Sequence, residues 1–224
     1  MARRVTIEFQ SDKAMNIIDN YRDLPLGTYL GILARIEAEG GDELAAQVAT
    51  IAALCGTKEA EVYALPLEEY KRLAAAAAFL REPCPDDLVR IADKYPCGEF
   101  TLVPVKDYAK LTVAQYVDFQ AYARDAEHQL PGLLAALLVP EGKEYAEGYD
   151  VAEVRDAICR DLNVADALGL AAHFFAYASR SIASTLTFSR KLARRMKAGP
   201  EKTALLTRTS ELARLLQSAG GGSR

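Results

Sequence analysis

Residues 110–140 read KLTVAQYVDFQAYARDAEHQLPGLLAALLVP, and they hold the densest set of side chains that could do chemistry: Gln115, Tyr116, Asp118, Gln120, Tyr122, Asp125 and His128. A catalytic arrangement of the Ser-His-Asp or Cys-His kind must use a histidine. The chain has two, His128 and His173. His128 falls at the exposed end of a polar helix. His173 adjoins Phe174 and Phe175 on an apolar helix, which predicts a packed or half-buried ring. Neither stands near a nucleophile elbow or another local signature. The carboxylate pairs Glu68/Glu69, Asp86/Asp87 and Asp118/Asp125 would suit two-carboxylate hydrolysis only if turned into a cleft. Their positions at caps and on helix surfaces predict solvated acids instead.

The other common chemistries find no purchase. No G-x-x-x-x-G-K-[ST] loop occurs, and no G-x-G-x-x-G opens a helix after a strand. Cys55, Cys84, Cys97 and Cys159 form no Cys-x-x-Cys pair and have no histidine at a ligand spacing, so zinc is not expected. They read as buried or half-buried free thiols in a reducing compartment. Tyr116, Phe119 and Tyr122 recur at i, i+3, i+6 and share a helical stripe, the pattern of a core or an interface. The expectation is a protein that is not an enzyme and that uses no cofactor or metal.

The elements that would position these residues are mostly helical. Residues 4–9, RVTIEF, alternate as a short half-buried strand. LGTYLGILARIEAEGG predicts a helix ending at Gly40-Gly41, and DELAAQVATIAALCG a second one capped by Asp42 and stopped at Gly56. After a short helical turn, Pro66 starts a third helix, with acids in its first turn. Alternation around Pro96-Cys97-Gly98 suggests a β-hairpin over about 88–105, and the N-terminal strand could join it as a three-stranded sheet. Thr112 with Gln115 forms a capping box for the next helix, and Asp150 with Glu153 another. Pro131 starts GLLAALLV, which runs to Pro140-Glu141-Gly142. Asn163 caps a last long element over 164–198, with a bend near Ser181 or Ser184. The predicted fold is α+β, predominantly helical, with a small antiparallel sheet packed on a helical bundle.

At 224 residues, 50% hydrophobic and 26% charged, the chain can bury a sizeable core. MARRVTIEFQ has no apolar run behind its basic residues, so no secretory signal is expected, and LAAAAAFL and LLAALLVP are too short to span a bilayer. Net charge is −4, unevenly shared. Residues 189–224 hold nine Lys/Arg against Glu201 and Glu211, a net +7, which leaves −11 on residues 1–188. This divides the chain into a mostly helical body with a small sheet, 1–188, and a basic amphipathic segment with a glycine-rich tail, 189–224. Arg190, Arg194, Arg195, Leu212 and Leu215 make that segment a candidate partner-binding element. Aromatics are missing beyond Phe188 and the chain as a whole is acidic, which argues against nucleic acid. Opposite charge on a neighbouring copy could steer a homo-oligomer together.

A hairpin leading into DYAKLTVAQYVDFQAY, then LLAALLVPEGKEYAEGYD, then DALGLAAHFFAYASR resembles small helical proteins of tailed bacteriophages. IAALCGTKEAEVYALPLEEYKRLAAAAAFL is similar to their first half, so the resemblance spans about 51–180. It implies a tail-assembly chaperone or small tail component that binds apolar helical stretches of a tail protein, the tape-measure or tube protein, in the host cytoplasm. It supplies no catalytic residues. The expected partner-binding side chains are Tyr116, Phe119, Tyr122, Phe174 and Phe175, with the basic residues above. The alternative is a structural virion protein of the tail or neck, assembled through charge-complementary contacts.

Overall fold

The computed structural model describes residues 4–8, 14–89, 91–105, 110–123, 125 and 128–175. Two compact units divide the chain, Met1–Leu170 and Ala171–Arg224. The 188/189 boundary, the bend near Ser181 or Ser184 and the whole basic segment lie outside the described residues.

In the first unit, β1 (Val5–Glu8) and β2 (Ala14–Ile17) pair antiparallel with Val5 opposite Ile17. Helices α1 (Leu26–Ala38), α2 (Glu43–Cys55), α3 (Glu59–Tyr63) and α4 (Leu67–Ala76) follow, and α4 tightens into a 3-10 turn at Ala77–Arg81. Next come β3 (Tyr95–Cys97), β4 (Phe100–Pro104), α5 (Val113–Ala123), α6 (Leu130–Leu137), β5 (Leu138–Pro140) and α7 (Val151–Asp161). Residues 164–170 are helical again. The molecule is therefore α+β and predominantly helical, as expected.

The sheet is arranged differently from expectation. β1 pairs with β2, a segment whose mixed sequence signals hid a strand, and β3-β4-β5 forms a separate antiparallel sheet. The third strand beside the hairpin is thus Leu138–Pro140, opposite Leu102, Val103 and Pro104, and not the N-terminal strand. The hairpin itself is shorter than predicted. Residues 86–88 make a 3-10 turn, and pairing begins only at Tyr95 opposite Leu102. Gly98, at φ +58°, takes the first of the two central turn positions, where a left-handed backbone needs glycine.

One core gathers Ile17, Ile18, Tyr21 and Leu24 with Ile32 of α1, Val48, Ile51 and Leu54 of α2, and Leu73 of α4. The Asp42 carboxylate accepts from the Ala45 N–H at 3.0 Å, and Gly56 ends α2 at φ +68°, both as the sequence predicted. An exposed Arg4 guanidinium adds to that end by donating to the Cys55 carbonyl at 3.2 Å. The start of α1 is tied to the far end of the unit: the Leu26 N–H donates to Leu162 O at 2.8 Å, and the Val164 N–H to Leu24 O at 2.9 Å. Gly27 makes this approach possible, since a Cβ there would stand 2.9 Å from the Cys159 carbonyl oxygen. α1 therefore crosses α7 almost backbone to backbone.

Every residue of α6 is buried, which is what an all-apolar helix requires. It packs against α5 on one side and α7 on another, then runs into β5 without a loop. In the second unit residues 171–175 are described; they are helical, with Ala171 and Phe174 buried and Ala172, His173 and Phe175 exposed.

Candidate binding surface

An exposed apolar surface flanked by grooves lies on α1. Its sequence LGTYLGILARIEA is apolar around more than one face: Leu26 and Ile32 point into the core, and Leu33 and Ile36 are left 37% and 45% exposed. Leu33 and Ile36 form a ridge with a groove on each side. The first groove, about 490 Å³, runs between α1, α2 and the end of α4, lined by Tyr29, Ile32, Ala46, Ala77 and Leu80, with Glu43 and Arg81 on its walls. The second, about 540 Å³, is lined by Leu30, Leu33, Ala34 and Ile36, with Glu37 and His128 at its edge. Both are open to solvent and mostly apolar. Gly40 and Gly41, at φ +58° and +105°, end α1 with a sharp return into α2, which fixes the acidic end of the ridge.

A second apolar face lies on α5. Val113, Tyr116 and Val117 are 81%, 51% and 57% exposed, at the i, i+3, i+4 spacing of one helical stripe. The three aromatics expected to act together on this helix separate. Tyr116 is exposed, its hydroxyl accepting from Gln120 Nε2 at 2.7 Å. Phe119 is half-buried. Tyr122 is half-buried and lies so close to α6 that a Cβ on Gly132 would come within 2.7 Å of its ring. Phe175 is exposed, whereas Phe174 is fully buried and packs as a core residue. Arg190, Arg194, Arg195, Leu212 and Leu215 fall outside the described residues.

The titratable groups are placed structurally. Asp118 accepts from the Tyr145 hydroxyl at 2.7 Å, pinning the loop after β5 to α5. Burial, together with that carboxylate, pushes the Tyr145 phenol well above its ordinary value. His128 Nδ1 lies 2.8 Å from Asp125, and its Nε2 4.0 Å from Glu37. His173 is exposed, correcting the packed or half-buried ring expected from its apolar neighbours, and its ring meets Phe174 edge to face at 6.0 Å. Glu68 is solvated and held below its usual range by the hydrogen bond from Lys71, at 2.8 Å. Glu69, one residue on, is 7% exposed, so the pair does not share the solvated face predicted for it. All four cysteines are free, Cys55 and Cys97 buried and Cys84 and Cys159 partly so, as expected. Burial pushes the Cys55 and Cys97 thiols up to about 11, which makes them poor nucleophiles. Among the described residues no group of three His, Cys, Asp or Glu could hold a metal ion, and no helix is long and apolar enough to cross a membrane.

Gln115 does not play the part its spacing suggested. Its N–H is capped by the Thr112 hydroxyl at 3.2 Å, the first half of a capping box. Its side chain, 4% exposed, turns away from the helix start and donates to the Ala136 carbonyl of α6 at 2.8 Å. Sequence reasoning missed the α1 grooves altogether. The available signal was the width of the apolar arc in α1, which exceeds what one core contact can cover. Compared with protein-family models, with curated proteins and with solved structures, the chain matches none.

Proposed function

We propose that this protein is a non-enzymatic, chaperone-like assembly factor of a tailed bacteriophage, which binds apolar helical segments of a tail protein such as the tape-measure or tube protein in the host cytoplasm. The observation that carries the reading is the Leu33–Ile36 ridge with an open apolar groove on each side. Such a surface suits a helix laid lengthwise, with many moderate contacts. Covering a Leu or Ile that is already more than half buried adds about 1 kcal/mol, given roughly 1.5–3 kcal/mol for a full side chain. Several such contacts give reversible capture, which a chaperone requires. The resemblance of 51–180 to small phage tail proteins supplies the phage context.

Co-expression tests it. A tape-measure protein of the same phage should become soluble and co-purify with this chain, and Leu33→Asp with Ile36→Asp should abolish capture while the chain stays folded, its thermal midpoint lowered only by the apolar cover the two side chains lose. A tape-measure protein that stays insoluble, or capture that survives the double substitution, refutes the reading. The exposed Val113, Tyr116 and Val117 face, with the −11 and +7 division of charge, favours a second reading, a structural part of the tail or neck built from copies of this chain. Mass spectrometry of purified particles separates the two: a chaperone is missing, a structural part present at fixed stoichiometry.

A further inference from the structure

Charge around the α1 grooves narrows what their occupant carries besides an apolar face. The turn from α1 into α2 bears Arg35, Glu37, Glu39, Asp42 and Glu43. Arg35 is engaged, bonded to Glu59 of α3 and 3.7 Å from Glu39. Asp42 is occupied as the cap of α2. Glu37 and Glu43 are both exposed, one beside each groove at the same end of the ridge, with the His128 ring 4.0 Å from Glu37. Asp125, beyond His128, adds a third carboxylate near the second groove. Arg81, on the far wall of the first groove, offsets part of this charge. The C-terminal carbonyls of α1 contribute the negative end of its dipole at the same place.

We propose that the grooves select an amphipathic helix with an aliphatic stripe whose flanks carry Lys or Arg where it lies over Glu37 and Glu43. This rests on the binding reading above and adds a charge rule to it. The 13 residues of α1 span about 20 Å, so the occupant is a helix of about four turns. Its i, i+3, i+4, i+7 residues straddle the Leu33–Ile36 ridge, as side-chain rows of one helix fit the furrows of another. The basic flanks steer the encounter and set the direction of the bound helix.

Two labelled 18-residue synthetic helices test this by fluorescence anisotropy with the full chain. They share one leucine stripe and differ in flanks, lysine against glutamate. The lysine probe should bind about tenfold more tightly at low salt, the summed effect of a few exposed ion pairs, and 0.5 M salt should erase most of that preference. Glu37→Lys with Glu43→Lys should reverse the preference; both positions are exposed, so an unchanged thermal midpoint certifies the fold. Equal binding of the two probes by the parent chain overturns the charge rule and leaves the binding reading standing. Failure of both probes overturns the two together. A chain that sediments as a dimer and becomes monomeric with Ile36→Asp also overturns the proposal, because a second copy would then fill the grooves.

Discussion

Gln115 offers the sharpest test of how the α5–α6 packing is held together. α6 passes into β5 without a loop, so its last carbonyls must find partners beyond the helix. The Leu137 carbonyl accepts from the Val105 N–H at 3.0 Å, and the Ala136 carbonyl from Gln115 Nε2 at 2.8 Å. Gln115→Leu keeps nearly the same volume and removes the donor. The Ala136 carbonyl is then left buried without its bond, at a cost of about 1–3 kcal/mol. For a chain of this size that lowers the thermal midpoint by about 3–10 °C. Gln115→Glu makes the diagnosis specific. A carboxylate there cannot donate and faces a carbonyl dipole in a dry site, whereas the protonated acid can donate the same bond. Its folded pKa is therefore raised above the unfolded value of about 4.3, so its contribution is present below that pH and lost as pH rises through the folded pKa. Urea titrations at several pH values, each referenced to the parent chain, should show the Gln115→Glu deficit shrinking from pH 7 toward pH 4. A Gln115→Leu variant within about 0.5 kcal/mol of the parent, or a Gln115→Glu deficit that ignores pH, would refute the reasoning.

Three further outcomes are expected. Gly132→Ala drives a Cβ to within 2.7 Å of the Tyr122 ring, a clash of about 1–3 kcal/mol against a helix-propensity gain of about 1 kcal/mol. Calorimetry should show it destabilising in the parent and stabilising in a Tyr122→Ala background, and the same sign in both would refute the contact. Ala146 sits at φ +59°, so Ala146→Gly should raise stability by about 0.5 kcal/mol, the release of left-handed strain less the added freedom of the unfolded chain, read as a midpoint rise of about 1–2 °C. Burial pushes the Cys55 and Cys97 thiols up to about 11, from an ordinary value of about 9. Their contribution is whole below pH 9 and lost between 9 and 11, about 1.4 kcal/mol per unit for each thiol. Cys97→Ala should roughly halve the thiol part of that alkaline loss in urea titrations.

Local rules read the ends of helices well because a cap needs only neighbours in sequence. Asp42, Gly56 and Asn163 all do what their positions foretell, the last through the Asp166 N–H at 2.9 Å. Asp150 caps α7 too, but through the Ala152 N–H at 2.8 Å and not the Glu153 N–H of the capping box expected there. The rules fail where a partner comes from far away. Gln115 stands three residues after a threonine, a spacing that describes a capping box, yet its amide spans 21 residues to a carbonyl that only the α6–β5 junction exposes. LLAALLVP has one continuous apolar pattern, and nothing within it marks Leu138 as the residue where helix becomes strand. That switch is imposed by β4, which supplies Leu102, Val103 and Pro104 as pairing partners. The same cause hid β2: AMNI does not alternate cleanly, and only its pairing with VTIE makes it a strand.

The binding surface was hidden for a different reason. An apolar side chain is core or surface according to what the rest of the chain brings over it, and periodicity cannot count that supply. α1 and α6 are both apolar on several faces. α6 receives α5 on one side and α7 on another and is buried at every residue. α1 receives α2 and α7, and the described residues leave Leu33 and Ile36 uncovered. Gly27 bears on the difference: it lets α7 approach the start of α1 to backbone contact, and the exposed ridge lies toward the other end of the helix, three residues before Glu39 caps it. The ridge is thus a remainder of how the helices cross, set by Gly27, where α1 has no side chain to hold α7 away. An apolar helix brought to that ridge would supply the cover that α5 and α7 supply to α6, which is why the surface reads as a place for a helix and not for a small molecule.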